Sequence, residues 1–308
     1  MRHSSLFPFR ALSLASGFYG VMAFAQPVPV ASTLQIVNVD GEPQVTQVYT
    51  QPVRFEAPNW THDGASLIFN QDGKIMRIPV SGGTPEVVNT GSATRCTGSH
   101  GLSPDGKLLA MTCTTPELPG ARVYIVPLAG GEPRVVTPNP NSYWHSWSPD
   151  GKTIAFARSD HAAQYFLSIP VEGGEEKALT STTGFSDDPD YSPDGKFIYF
   201  NSNRGGGMQI WRMHPDGTGA EALTSDDRPN WSAHPSPDGK WIVYISYEKG
   251  VTGHPANKNV ELRLMSLKDR KIKVLASFLG GAGSMNVPSW SPDSKRVAFV
   301  SYQLLPAK

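Results

Sequence analysis

Histidines and carboxylates are spread along the 308 residues of the chain, but some stand at fixed distances from a recurring S-P-D-G run. His100 and His145 each lie three residues before the serine of such a run. Glu56 and Asp187 lie five residues before the equivalent Thr or Ser, and Tyr143, Trp231 and Asn286 share that offset in other copies. Asp188, Asn230 and His234 each stand next in sequence to a residue at one of these two offsets. Imidazole nitrogen combined with carboxylate and amide oxygen suits a divalent metal such as zinc, manganese or calcium; His100, His145 and His234 are the expected metal ligands. The same chemistry suits proton transfer, with Glu56, His145 and Asp187 as the candidate catalytic acids and bases. Tyr143, Asp188, Asn230, Trp231, His254 and Asn286 are the candidate ligand-binding residues. A structural role competes for each of them, since a channel histidine readily bridges backbone carbonyls through water.

These residues can act together only if the fold brings distant segments to one place. The segments beginning at Asn59, Gly101, Ser146, Asp190, His234 and Ser289 are copies of one unit. Aligned on Thr61, Ser103, Ser148, Ser192, Ser236 and Ser291, they recur at intervals of 42, 45, 44, 44 and 55 residues. A period of this length with several strands per unit is the mark of a β-propeller. Within a unit, an inner strand runs into the S-P-D-G turn, where Pro fixes φ, Asp bonds backbone N–H groups and Gly takes positive φ. An apolar second strand ("KTIAFA", "KFIYFN") follows, then a third ("RVYIVPL", "QIWRMHP"), a Gly-containing turn and a fourth. The turn aspartates Asp105, Asp150, Asp194, Asp238 and Asp293 are thus turn formers.

Five units are complete, and the sixth makes only two strands before Lys308. Leu34–Thr50, "LQIVNVDGEPQVTQVYT", supplies the missing third and fourth strands. The expected fold is therefore all-β: a six-bladed propeller of four-stranded antiparallel blades, closed by N-terminal strands that complete the last blade, with no free strand edge. The first strand of each blade lines the central channel. Alternation places the residues three and five before the turn near the axis, and a bulge would bring in Asp188, Asn230 or His234. The position just before the turn (Trp60, Leu102, Trp147, Tyr191, Pro235, Trp290) is expected to fill the space between blades. The long interval reflects an insertion, Tyr247–Val260, which emerges where chains enter the inner strands. It could carry His254, Lys249 or Lys258 over the mouth, or remain a polar surface loop.

Balanced charge, 27 basic against 27 acidic side chains, argues against nucleic acid as a partner. Arg2 and Arg10, the apolar run Ala11–Ala23 and the small residues of "AFA" follow the grammar of a signal peptide, residues 1–25, cleaved after Ala25. The run is short for a stable membrane span. Residues 26–308 then form a single propeller, periplasmic or secreted and expected to be monomeric. Cys96 and Cys113 face each other across the turn at Ser103; they could form a disulfide or serve as small buried hydrophobes.

The "SPDGK" turn followed by "IAF" or "IYF", at this period and behind an export signal, resembles the TolB-like β-propeller repeat proteins over nearly the whole mature chain. The resemblance implies a periplasmic six-bladed domain. TolB itself carries a further N-terminal α/β domain, whereas only Gln26–Thr33 precede the first expected strand here. More distantly, the repeat is similar to that of oligogalacturonate lyases, whose propeller chambers use histidines and a divalent metal. Propellers attached to prolyl-oligopeptidase-type hydrolases are excluded by the lack of a G-x-S-x-G segment. Two functions follow. One is an envelope scaffold that binds a partner protein or glycan at a His- and acid-lined channel mouth. The other is a metal-dependent carbohydrate lyase or hydrolase with its active site in the channel.

Overall fold

The computed structural model describes residues 29–160, 163–181 and 184–306. The expected signal peptide and its cleavage site at Ala25 lie outside the described residues. Six antiparallel sheets form a closed ring. Blades 1 to 5 each have four strands in sequential order, with inner strands Phe55–Trp60, Arg95–Leu102, Ser142–Trp147, Ser186–Tyr191 and Asn230–Pro235.

Blade 6 closes the ring. Val30–Asn38 pairs along its full length with Arg296–Leu304, from Val30 opposite Leu304 to Asn38 opposite Arg296, and Val45–Gln51 lies on its outer side. The first strand starts at Val30, before the expected Leu34. The inner segment of this blade is irregular. It is held by the Val300 N–H donating to the Ser284 carbonyl at 3.0 Å, the Ala298 N–H donating to the Ser289 carbonyl at 2.9 Å, and a single Trp290–Val297 bridge. Asn286 Oδ1 accepts the Gly283 N–H at 3.0 Å, a local bond that competes with ladder pairing.

The apolar core consists of six clusters, one in each seam between neighbouring blades. Ile68 packs with Leu109 and Met111 between blades 1 and 2, while Leu67 and Phe69 turn the other way, onto Leu34 and Val300 of blade 6. Period-two alternation in each second strand thus fills two seams at once. In every S-P-D-G-type turn the Ser or Thr hydroxyl donates to the aspartate at 2.5 to 2.8 Å. The same aspartate accepts a backbone N–H, as from Lys152 at 3.0 Å. These bonds hold the turn carboxyls, such as Asp105 and Asp150, below the usual range. Cys96 and Cys113 occupy opposite positions on the first two strands of blade 2 and are joined as a disulfide.

The blade 5 insertion is mostly strand. Its second strand, Trp241–Tyr247, and its long third and fourth strands, Ala256–Ser266 and Ile272–Gly281, leave only residues 248–255 as loop. This raised hairpin leans over the loop-side mouth of the channel. Tyr247 donates its hydroxyl to the Pro255 carbonyl at 2.8 Å, and Asn257 Oδ1 accepts from Arg54 of blade 1 at 2.8 Å.

Candidate functional site

The inner strands deliver their polar residues through a shared irregularity. Pairing with the second strand slips between Glu56 and Asn59, between Asp187 and Asp190, and between Trp231 and His234. At each slip one residue adopts left-handed backbone: Ala57 (φ 58°), Asp188 (φ 51°) and Ser232 (φ 54°). Aspartate tolerates this region better than most residues, and Ala or Ser there stores about 1 kcal/mol of local strain. The bulge gives two consecutive side chains, Asp187 and Asp188, access to the axis where alternation would give one.

His145 of blade 3 meets both. Its Nε2 lies 3.3 Å from Asp187 Oδ1 and its Nδ1 lies 3.3 Å from Asp188 Oδ1. All three residues are buried, and their ligating atoms fall within 4.8 Å of one another; this is the one such group of three among the described residues. At 3.3 Å, His145 Nδ1 and Asp187 Oδ1 are met by ion-pair contacts and by no shorter, well-aligned hydrogen bond. Asp188 is steadied from the next blade, its Oδ2 accepting the Ser232 hydroxyl at 2.9 Å.

The raised hairpin adds His254, stacked on Trp231 with centroids 4.5 Å apart and planes 8° from parallel, and edge-on to Tyr247. Burial holds His254 below the usual imidazole value, against the pull of Asp188 and Asp187. Burial also opposes a charge on His145, but the carboxylates of Asp187, Asp188 and Asp190 outweigh it and raise its pKa. The two aspartates diverge. Burial acts to raise Asp187, but His145 holds it below the usual range; burial and the charge of Asp187 push Asp188 up.

The other sequence candidates occupy different places. His234 Nδ1 sits 2.9 Å from Asp190 Oδ2, in a second buried imidazole–carboxylate pair nearer the turns. His100 is fully buried in the seam between blades 1 and 2, outside the His145 group, and burial lowers its pKa to about 4. Glu56 is raised by burial, with Arg54 and the Gly98 N–H pulling the other way. Arg54 in turn lies over the Tyr302 ring at 4.3 Å. Asn230 donates to Gln209 and Asp226 at 2.9 and 2.7 Å, Asn286 caps Gly283, and Tyr143 is half-buried on blade 3. Lys249 pairs with Asp227 at 2.9 Å on the surface.

Asp190, Ser232, Tyr247 and Arg54 were not among the sequence candidates. For Asp190 a signal existed: it and His234 occupy the same offset, two before the turn serine, in adjacent blades. The residues just before the turns also do more than fill seams. Trp60, Leu102, Trp147, Tyr191, Pro235 and Trp290 line a cavity of about 390 Å³ at the turn-side end of the channel. Four of them, Trp60, Leu102, Trp147 and Trp290, belong to seam clusters as well.

A family model for the TolB beta propeller domain matches residues 102–303. An uncharacterized protein of Agrobacterium fabrum is 41% identical over 272 residues, 88% of this chain and 92% of that protein. A solved structure from Agrobacterium tumefaciens, described as a candidate TolB, superposes with a TM-score of 0.85 at 40% identity, covering 90% of this chain and 99% of that one. TolB from Acinetobacter baumannii has the same fold at 21% identity, TM-score 0.62, with 82% of this chain matching 64% of its length.

Proposed function

We infer that this chain, which belongs to the TolB β-propeller family, is an exported binding protein whose ligand site is the loop-side mouth of its channel. The convergence of His145, Asp187 and Asp188 beneath His254 carries this reading. Three buried groups aim ligating atoms at one point, where His145 Nδ1 and Asp187 Oδ1 are met only by ion-pair contacts at 3.3 Å. Buried polar atoms held this loosely are costly to leave underbonded, and they mark a place where a ligand can complete the structure. One imidazole and two carboxylates suit manganese or zinc; calcium, which takes six to eight oxygens, is served less well. His145, Asp187 and Asp188 would hold such a cation, and it would supply a Lewis-acidic centre for oxygen donors of a glycan or a partner protein. Ser232 fixes Asp188, and the Trp231–His254 stack walls the site on one side. Among the described residues no helix is long and apolar enough to cross a membrane.

The opposed shifts of the two aspartates favour a second reading, carbohydrate lyase or hydrolase chemistry, in which Asp187 is the more readily ionised of the two and serves as base while Asp188 is the better placed to act as acid.

Calorimetric titration of chelator-treated protein with Mn²⁺ and with Zn²⁺ tests the first reading. One-site binding weakened at least tenfold, about 1.4 kcal/mol, by Asp187→Asn is expected. No binding heat in the parent, or equal affinity in the variant, removes the cation from the site.

A further inference from the structure

The turn-side cavity has its own chemistry, separate from the loop-side mouth. Its wall is aromatic and proline-rich: Trp60, Trp147, Trp290 and Tyr191 come from four different blades. Its floor carries oxygen acceptors. Asn59 is 6% exposed and donates its Nδ2 to the Pro288 carbonyl at 2.5 Å, which fixes the orientation of the amide. Its Oδ1 is therefore the free atom, buried without a hydrogen-bond partner among the described residues. Asp190, also 6% exposed, lines the same cavity and shares its carboxylate with His234. Ser146 lines the floor with its hydroxyl committed to the Pro189 carbonyl at 2.9 Å. The indole N–H groups of Trp147 and Trp290 are spent on the carbonyls of Gly101 and His234, at 3.1 and 2.9 Å, while those of Trp60 and Trp144, which also line the cavity, have no hydrogen-bond partner among the described residues. The floor thus presents an unmet acceptor and a carboxylate inside an aromatic wall. Such a pocket lacks a donor with positive charge.

We propose that the turn-side cavity is a second binding site, for a primary alkylammonium group. The ammonium donates to Asn59 Oδ1 and to the Asp190 carboxylate while its alkyl chain lies against Trp60, Trp147, Trp290 and Tyr191. Aromatic rings add attraction for a cation through their electron-rich faces. A neutral alcohol of the same length fits the wall but brings a single donor and no charge. A carboxylate would be repelled by Asp190.

Calorimetric titration of the folded chain with n-pentylammonium and with 1-pentanol tests the site. A six-heavy-atom probe at the higher efficiency that very small ligands reach binds with a dissociation constant of about 1 mM. The expected result is one saturable site for n-pentylammonium, at least tenfold weaker binding of pentanol, and at least tenfold loss in Asp190→Asn. Leu102→Trp, which fills the cavity from a wall position without touching the floor acceptors, is expected to abolish binding. It asks the same question should Asp190→Asn fail to fold. The proposal is overturned if the parent shows no saturable binding, if pentanol binds as well as the ammonium, or if a folded Asp190→Asn or Leu102→Trp variant keeps the parent's affinity. Binding here requires no added Mn²⁺ or Zn²⁺ and is measured without either, so failure of the loop-side site leaves this result standing.

Discussion

His100 makes an acid-sensitivity prediction that can be worked through. The ring is fully buried and its pKa is lowered from 6.5 to about 4, with burial as the main cause and the Ile68 backbone opposing it. The folded protein therefore resists protonating a group that the unfolded chain protonates readily below 6.5. Stability contributed by the neutral ring is present above 6.5 and is lost as the pH falls towards 4. The full shift corresponds to about 3 kcal/mol, and roughly 2 kcal/mol of it is spent between pH 7 and pH 4.5. The opposite sign holds at His145, whose raised pKa adds stability as the pH falls, and at the raised carboxyls of Glu56, Asp188 and Asp190. Only a comparison with a variant isolates His100. In His100→Leu the apolar seam accepts the replacement, and the buried imidazole is removed together with its contact to the Ile68 backbone. Urea unfolding followed by tryptophan fluorescence should show the variant close to the parent at pH 7 and about 2 kcal/mol more stable than it at pH 4.5. Parallel loss of stability in the two proteins would mean that His100 is not the acid-labile group.

Three further perturbations have expected outcomes. Replacing both Cys96 and Cys113 by Ser opens a 17-residue separation and should cost about 3 kcal/mol, read from urea midpoints; an unchanged midpoint contradicts a formed bond in the folded protein. Gly98→Ala would place a Cβ 2.8 Å from Glu56 Oε1, displacing that carboxyl and costing about 1 to 3 kcal/mol; a melting temperature equal to the parent's argues against the close packing. Leu34→Asp buries a charge in the closing blade, where Leu34 is fully buried opposite Val300, and should leave little folded protein by circular dichroism; a native spectrum would separate ring closure from stability.

The ring was legible because repetition is carried by short-range chemistry. Ser103, Pro104, Asp105 and Gly106 specify their turn locally, and the same residues recur at each blade. Closure was legible from a count, since two strands were missing at one end and two surplus at the other. The site was legible only in part. Alternation pointed to Asp187 and His145, but the left-handed residue at Asp188 sets which neighbours face the axis, and no sequence period encodes it. His100 and His145 share an offset yet part company, because His100 sinks into a seam while His145 finds two carboxylates. The regularity of Trp60, Trp147 and Trp290 suggested packing, and their bulk does pack. Their second role depends on prolines and acceptors from other blades that meet only at the axis.

The union of Val30–Asn38 with Arg296–Leu304 has a consequence for synthesis. The earliest strand of the circle can pair with Val45–Gln51 on one side, but its other edge must wait until the latest strand has been made, so every partly made chain carries a bare apolar edge. Long-range pairing of this kind slows folding and leaves intermediates prone to association. A nascent chain of this design gains by being threaded through an export channel or held by a chaperone until its last strand emerges, and the completed circle then forms late and all at once.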